Sequence, residues 1–246
     1  MSVENIQSQY ELLLWDTKAF RYPVYRMAIV GADSEKLKGV LNALSSKRAR
    51  LVYWYVDPAD DRSNLVARNN GGFLADRKVT FEAEIPPAYT KGVNIDNNIA
   101  SVFGQVLTPR LKRLALEAGA SSRYKVDPNF VSGEFEYLYT EWIRKSLNGE
   151  MADEVLVYVE SGREVGFITL RNSNKRASIG LIAVDLTHRG KGIGANLVKA
   201  GFVWASARGF SEADVVTQMA NSRACNFYQK CGFKEKSVVN VYHFWL

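Results

Sequence analysis

The chain has 246 residues, of which 47% are hydrophobic and 24% charged, and its 32 basic and 26 acidic side chains leave a net charge of +6. These values describe an ordinary globular protein, long enough for one large or two small domains with a proper core. No stretch of about 18 apolar residues and no basic block with interleaved aromatics occurs, so neither a membrane span nor a nucleic-acid-binding stripe is expected.

Residues 1–14 carry Glu4 and Glu11 and no long apolar run, which argues against an export signal and makes the cytoplasm the default location. Residues 10–15 and 24–30 read as strands, with Trp15 to Pro23 an aromatic loop between them. Asp33 or Ser34 caps a helix running through Leu44, with Leu37, Val40, Leu41 and Leu44 on one side. Ala49 to Val56 is a strong strand, Ser63 caps a short helix ending near Gly71 and Gly72, and Phe73 to Ile85 supplies one or two further strands.

Residues 86–109 are polar and rich in Pro, Gly and Asn. They read as a connection, giving a first domain over 1–90, a linker over 91–107 and a second domain over 108–246. Thr108 and Pro109 start a helix that runs to Gly119. A second helix spans Glu134 to Leu147, and strands 155–160 and 164–171 form a hairpin through Ser161 to Arg163.

Ile179 to Val184 then reads as a buried strand that runs through a glycine-rich turn into a helix carrying Ile193, Leu197, Ala200 and Trp204 on one face. Ala213 to Met219 is the next strand, residues 221–231 a helix closed by Gly232, and residues 238–246 the last strand. The whole is a mixed α/β fold. A strand, helix and strand in one sheet imply a right-handed parallel crossover, which puts the turn at the carboxyl end of its strand, where ligands bind. Cys225 and Cys231 lie six residues apart in one helical stretch, a poor geometry for a disulfide, and are expected to be packing residues.

The turn is where the chemistry concentrates. Gly190, Gly192 and Gly194 remove side chains beside a helix's positive end and leave backbone amides aimed at one point, a cradle for an anion. Lys191 is followed by Gly192, so a mononucleotide loop is absent, and the glycines do not space as a dinucleotide fingerprint. The plain alternative is a tight turn with a structural role alone.

Arg189-x-x-Gly192-x-Gly194 behind Val184-Asp185-Leu186 resembles the pyrophosphate loop of the GCN5-related N-acetyltransferases. A second stretch, Asn221-Ser222-Arg223-Ala224-Cys225-Asn226-Phe227-Tyr228 ending in Gly232-Phe233, is similar to that family's asparagine, tyrosine and Gly-Phe series. The resemblance covers about residues 108–246. It implies acetyl-CoA as acetyl donor and no metal, held by the amides of Gly190, Lys191, Gly192, Ile193, Gly194 and Ala195 with Arg189 near the phosphates. It also implies that Asn221 contacts the coenzyme and that Ile182, Ala183 and Val184 offer backbone to the thioester carbonyl. Tyr228 is the implied acid that protonates the departing thiolate.

Val216 to Met219, Ser122-Arg123-Tyr124 with Asp127, and Tyr139 with Glu141-Trp142-Ile143 carry a narrower resemblance. It is to acetyltransferases acting on the 4-amino group of dTDP-4-amino-4,6-dideoxyhexoses for surface polysaccharide assembly. It implies a nucleotide-sugar partner, with no nucleic acid and no membrane, and is compatible with a homodimer. Arg123 and Lys125 would then meet a diphosphate, Tyr124 or Trp142 would stack on thymine or sugar, and Trp15 to Tyr22 would close the far side. Residues 67–73, Ala-Arg-Asn-Asn-Gly-Gly-Phe, look like a worn copy of the second motif. No counterpart of the Arg189 loop precedes them, so the first half is expected to be a degenerate, related domain that binds no coenzyme. Asp185, His188 and His243 are not taken as catalytic. Other amine acceptors (an antibiotic, a polyamine, a protein amino group) and a non-catalytic coenzyme-binding module stay open.

Overall fold

The computed structural model describes residues 9–91 and 93–246; the expectation about an export signal rests in part on residues 1–8 and lies outside them. The first half runs through Tyr10–Leu12 (β1), Leu14–Phe20 (α1), Val24–Met27 (β2), Ser34–Ser46 (α2), Leu51–Val56 (β3), Asp61–Asn69 (α3) and Phe73–Glu84 (β4). A short 3-10 turn at Pro87–Lys91 leads to Ile99–Ser101 (β5), Pro109–Ala118 (α4), Arg123–Val126 (α5), Glu134–Leu147 (α6), Glu154–Glu160 (β6) and Arg163–Ser173 (β7). The last part contains Arg176–Val184 (β8), Ile193–Ser206 (α7), Glu212–Gln218 (β9), Ser222–Lys230 (α8) and Lys234–Trp245 (β10).

Local chemistry sets these boundaries. Asp33 accepts a hydrogen bond from the Lys36 amide at 2.8 Å and starts α2. Thr108 accepts from the Leu111 amide at 3.0 Å ahead of Pro109 and starts α4. Ser161 and Gly162 take φ of 53° and 73°, the paired left-handed residues of a two-residue hairpin turn between β6 and β7.

Three expectations need correction. Residues 14–20 form α1 rather than an aromatic loop: the buried residues Asp16, Ala19 and Phe20 fall at helical spacing, and Arg21 ends the helix at a φ of 63° ahead of Pro23. Asp60, not Ser63, caps α3, because its carboxylate accepts from the Ser63 amide at 2.9 Å. Strand β2 stops at Met27, well short of residue 30.

All ten strands join one sheet in the order β1-β2-β3-β10-β4-β9-β8-β7-β6-β5. The carboxyl-terminal strand lies between two strands of the first half, with Asn240 opposite Val56 on one side and Arg77 on the other. Residues 91–107 contribute β5, which pairs with β6 at the sheet's edge. One face packs α7 and α8, with Tyr228 on α8, over Val79, Phe81 and Val215, and α2 and α3 cover Trp54 and Tyr242. The other packs α1, α4 and α6 over Tyr53, Phe167, Leu181 and Ala183.

The sheet opens at one place. Strand β8 pairs in parallel with β9 only through Ala177, Ser178 and Ile179, opposite Ala213, Asp214 and Val215. The register against β7 then slips between Ile168 and Leu170, and Thr169 Oγ1 accepts from the Leu181 amide at 2.8 Å. A Cβ on Gly180 would come within 2.8 Å of that same oxygen, so the bulge requires glycine there. Beyond it β8 stays with β7 while β9 stays with β4, and a notch forms between residues 182–184 and 216–218.

Candidate active site

Two backbone amides face the notch. The Leu181 amide bonds to Thr169 and the Asp185 amide to Val165 O at 2.8 Å, both on the β7 side. Alternation along the strand therefore turns the Ile182 and Val184 N–H groups toward β9, where no ladder partner meets them. Ala183 directs its own amide into the β7 ladder and its side chain into the core, so two of the three expected residues present donors to the opening.

Past Val184 the chain makes the anion turn. Gly190 and Gly192 adopt φ of 82° and 81°, which only glycine takes without strain, and Gly192 is the N-cap of α7. The first intrahelical bond runs from the Asn196 amide to Gly192 O at 3.0 Å, so the amides of Ile193, Gly194 and Ala195 have no intrahelical acceptor. No acidic side chain stands in that first turn and the N-cap has no side chain to offer. The turn thus ends in unanswered donors at the positive end of a 14-residue helix, which fits a pyrophosphate.

Its walls are fixed by charge. Arg189 Nε donates to Val184 O at 2.9 Å, tying the turn to the strand, and Arg189 Nη2 lies 3.7 Å from Glu117. Asp185 receives Arg113 at 2.8 Å and Arg110 at 3.4 Å, anchoring the turn to α4. Hydrogen bonds from Thr187, then from His188, hold the Asp185 carboxyl far below the usual carboxylate range. His188 is spent between Asp185 and Glu160, and Lys191 pairs with Glu160 at 3.4 Å.

Helix α8 closes the other side. Asn221 caps it by accepting from the Ala224 amide at 3.1 Å, so its side-chain carbonyl is committed to the helix start. Tyr228 is 4% exposed among Phe81, Phe227 and Phe233. Its hydroxyl bonds to none of the described residues, and burial pushes its pKa above the ordinary phenol value, so the proton is retained at neutral pH. A Cβ on Gly194 would lie 3.0 Å from the Phe227 ring, which is how closely α8 approaches the start of α7.

On the opposite face of the sheet lies a polar cleft that the sequence outlined only in part. The Arg123 guanidinium sits 4.4 Å from the Tyr124 ring centre and 5.0 Å from that of Tyr53, and its Nε is sealed from water without a partner among the described residues. Asp16 accepts from Tyr53 at 3.1 Å and from Tyr124 at 3.4 Å, and burial raises its pKa. Trp142, with its indole nitrogen 3.9 Å from a Cβ built on Gly180, stands over the bulge beside Tyr139. Trp15, expected on the far wall, packs instead beneath the Lys145 ammonium at 5.0 Å, and it is the neighbouring Asp16 that reaches the cleft. Lys125 is exposed and paired with Glu136.

Asp76 and Lys78, also absent from the sequence-derived site, complete the floor. They lie two apart on β4, on the face opposite the apolar series Val79, Phe81 and Ala83. A strand with apolar residues on one side and paired charges on the other carries a legible signal for a polar site. Lys78 Nζ is 5.8 Å from the Tyr55 ring centre, and burial, reinforced by Arg123, lowers its pKa. Among the described residues no group of His, Cys, Asp and Glu could hold a metal, and no helix is long and apolar enough to cross a membrane.

A model of the acetyltransferase (GNAT) family matches residues 121–233. The dTDP-fucosamine acetyltransferase of Escherichia coli O6:H1 is 30% identical over 190 residues, covering 75% of this chain and 80% of that protein. The spore coat polysaccharide biosynthesis protein SpsD of Bacillus subtilis is 22% identical over 249 residues, covering 96% of this chain and 82% of its own. The crystal structure of a GCN5-related N-acetyltransferase from Sphaerobacter thermophilus shares the fold, with a TM-score of 0.60 at 16% identity over 96% of this chain and 76% of that one.

Proposed function

Because the chain belongs to the acetyltransferase (GNAT) family and is an acetyl-CoA-dependent N-acetyltransferase, we propose that its acceptor is the primary amine of a nucleotide-linked 4-amino-4,6-dideoxyhexose, a dTDP sugar, used in surface polysaccharide synthesis. The observation that carries this reading is the extent of the match to dTDP-fucosamine acetyltransferase. It covers 75% of the chain, more than residues 108–246 can supply, so it takes in part of the first half.

The bound donor supplies a thioester-activated acetyl group and a pyrophosphate. The amides from Gly190 to Ala195 hold the diphosphate, with Arg189 adding positive charge at the strand's mouth. The Ile182 and Val184 amides point to where the carbonyl oxygen gains negative charge. Tyr228, kept protonated by its surroundings, donates a hydrogen bond to the sulfur as the bond to carbon breaks. A positioned acid of this kind contributes roughly 10²–10⁴ in rate. The polar cleft receives the acceptor from the other face of the sheet, with Trp142 and Tyr124 offering stacking surface and Arg123 positive charge.

Thiol release from acetyl-CoA in the presence of a panel of amines tests the assignment. The expected result is a kcat/KM for dTDP-4-amino-4,6-dideoxyhexoses at least 10²-fold above those for polyamines, aminoglycoside-type antibiotics or peptides, since a site built for several polar groups rejects acceptors that leave them unpaired by such factors or more. Preference for any of the other amines discards the sugar assignment while leaving the acetyltransferase intact.

A further inference from the structure

Beyond the point where β8 and β9 part, one carboxylate on the cleft floor is nearly sealed yet has no side-chain hydrogen bond or ion pair among the described residues. Asp76 is 7% exposed, and the hydrogen-bond donor directed at it is the backbone N–H of Arg77. Register places it: Lys78 lies opposite Gln218, the last residue of β9, and the Met219 amide closes onto Arg77 O at 2.8 Å. Asp76 follows along β4 just past the end of β9, and the β4–β9 and β9–β8 registers, continued, bring it level with Val184 on β8. The charged and titratable groups facing it are Arg123 from α5, Lys78 from its own strand and Tyr139 from α6. Asp16, the other cleft carboxylate, is occupied by Tyr53 and Tyr124.

We propose that Asp76 receives the acceptor's ammonium group and takes a proton from it, making the amine the nucleophile. This rests on the acetyltransferase reading with a primary-amine acceptor. One N–H proton passes to the Asp76 carboxylate, and the freed nitrogen lone pair forms the bond to the thioester carbon. The carbon–sulfur bond then breaks with its electron pair going to sulfur, which is protonated from Tyr228. The second proton lost by nitrogen passes through water to the Tyr228 phenolate, the Asp76 carboxyl releases its proton to solvent, and the products are the N-acetyl sugar and free thiol. Burial raises Asp76 to about 6 against the pull of Arg123 and Lys78, so the group is ionised at neutral pH and is a competent base there.

Initial rates of wild type, Asp76→Asn and Asp76→Glu, measured from pH 5.5 to 9.5 with acetyl-CoA and the amine that wild type uses best, test this. Wild-type kcat/KM for the acceptor should level off above about pH 7. Asp76→Asn should be lower by about 10²-fold at pH 7 and climb roughly tenfold per pH unit toward the amine's own pKa, with unchanged affinity for acetyl-CoA and an unchanged melting temperature. Asp76→Glu should keep the plateau at reduced height. An Asp76→Asn enzyme within threefold of wild type, or one whose profile runs parallel to it at any height, overturns the assignment of Asp76 alone. A wild type that turns over no amine overturns the acetyltransferase reading, and the role of Asp76 with it.

Discussion

His243 Nδ1 donates to Asp127 Oδ2 at 2.6 Å with both side chains closed to solvent, and Trp245 Nε1 donates to the same oxygen at 2.9 Å. The pair joins the last strand to the loop after α5 and so pins the carboxyl terminus of the chain beneath the polar cleft. His243 Nε2 has no partner among the described residues, which makes the neutral ring the tolerated form; burial above all pulls its pKa down to about 4. Burial pushes Asp127 up, but bonds from His243, Asn129 and Trp245 outweigh it and bring the carboxyl to about 2.

Stability should therefore fall in two stages on acidification. Above the unfolded histidine value of about 6.5 the buried neutral ring costs nothing; as pH falls toward 4 the unfolded chain binds a proton that the native ring refuses. The depression from about 6.5 to about 4 corresponds to a loss of up to about 3 kcal/mol. The Asp127 contribution persists above about 4 and is lost as pH falls through about 2. Thermal melts of wild type and His243→Gln between pH 4 and 7.5 check this: the wild-type melting temperature should slope downward below 6.5, and the variant, whatever its absolute stability, should show a flatter curve.

Replacing Tyr228 by Phe should separate binding from chemistry. The ring contacts to Phe81, Phe227 and Phe233 survive and the lost hydroxyl has no partner among the described residues, so fold and donor affinity should stay within about twofold. The turnover number should drop by about 10²-fold or more, the share of a positioned acid. Calorimetry with acetyl-CoA beside steady-state kinetics measures both, and an unimpaired turnover number would remove Tyr228 from the reaction.

Gly192→Ala addresses the turn. A side chain at a φ of 81° costs about 1–2 kcal/mol, and the strain falls on the residue that delivers the first free amides of α7. Since nothing surrounds that position within 4 Å, the global fold should hold. Acetyl-CoA affinity should fall by about tenfold, the equivalent of that strain. Unaltered affinity would show that these amides do not carry the diphosphate.

The contrast between the two faces of the sheet explains what the sequence made legible. The donor side is local: Val184 to Ala195 and Asn221 to Phe233 are contiguous, their caps and glycines act within a few residues, and their roles can be read along the chain. Helices α4 and α6 and strand β8 likewise follow from caps and apolar spacing. The cleft is not local, because Asp16, Tyr53, Asp76, Lys78 and Arg123 come from four separate elements that meet only when β10 inserts between β3 and β4. Helix α1 was hidden for another reason: seven residues with no side-chain cap give too little periodicity to outweigh an aromatic-rich composition. The parting of β8 from β9 depends on a hydroxyl in β7 meeting an amide in β8, a relationship that no window of sequence displays.

That hydroxyl yields the last prediction. Thr169 is 1% exposed, and its Oγ1 is the acceptor for the Leu181 amide at the bulge. Thr169→Val keeps the volume and removes the acceptor, leaving a buried N–H unpaired at a cost of about 1–3 kcal/mol. Without that acceptor Leu181 is no longer held at the bulge, and the freed strand shifts the Ile182 and Val184 amides along the edge of the notch. Thr169→Val should thus lose both stability and donor-side turnover, whereas Thr169→Ser, which retains the oxygen, should lose little of either. Amide hydrogen exchange at Leu181, Ile182 and Val184 distinguishes the outcomes: in wild type Leu181 is protected while Ile182 and Val184 exchange faster, and in Thr169→Val Leu181 should lose that protection. A valine variant with wild-type exchange and turnover would mean that the bulge is held by something other than this hydrogen bond.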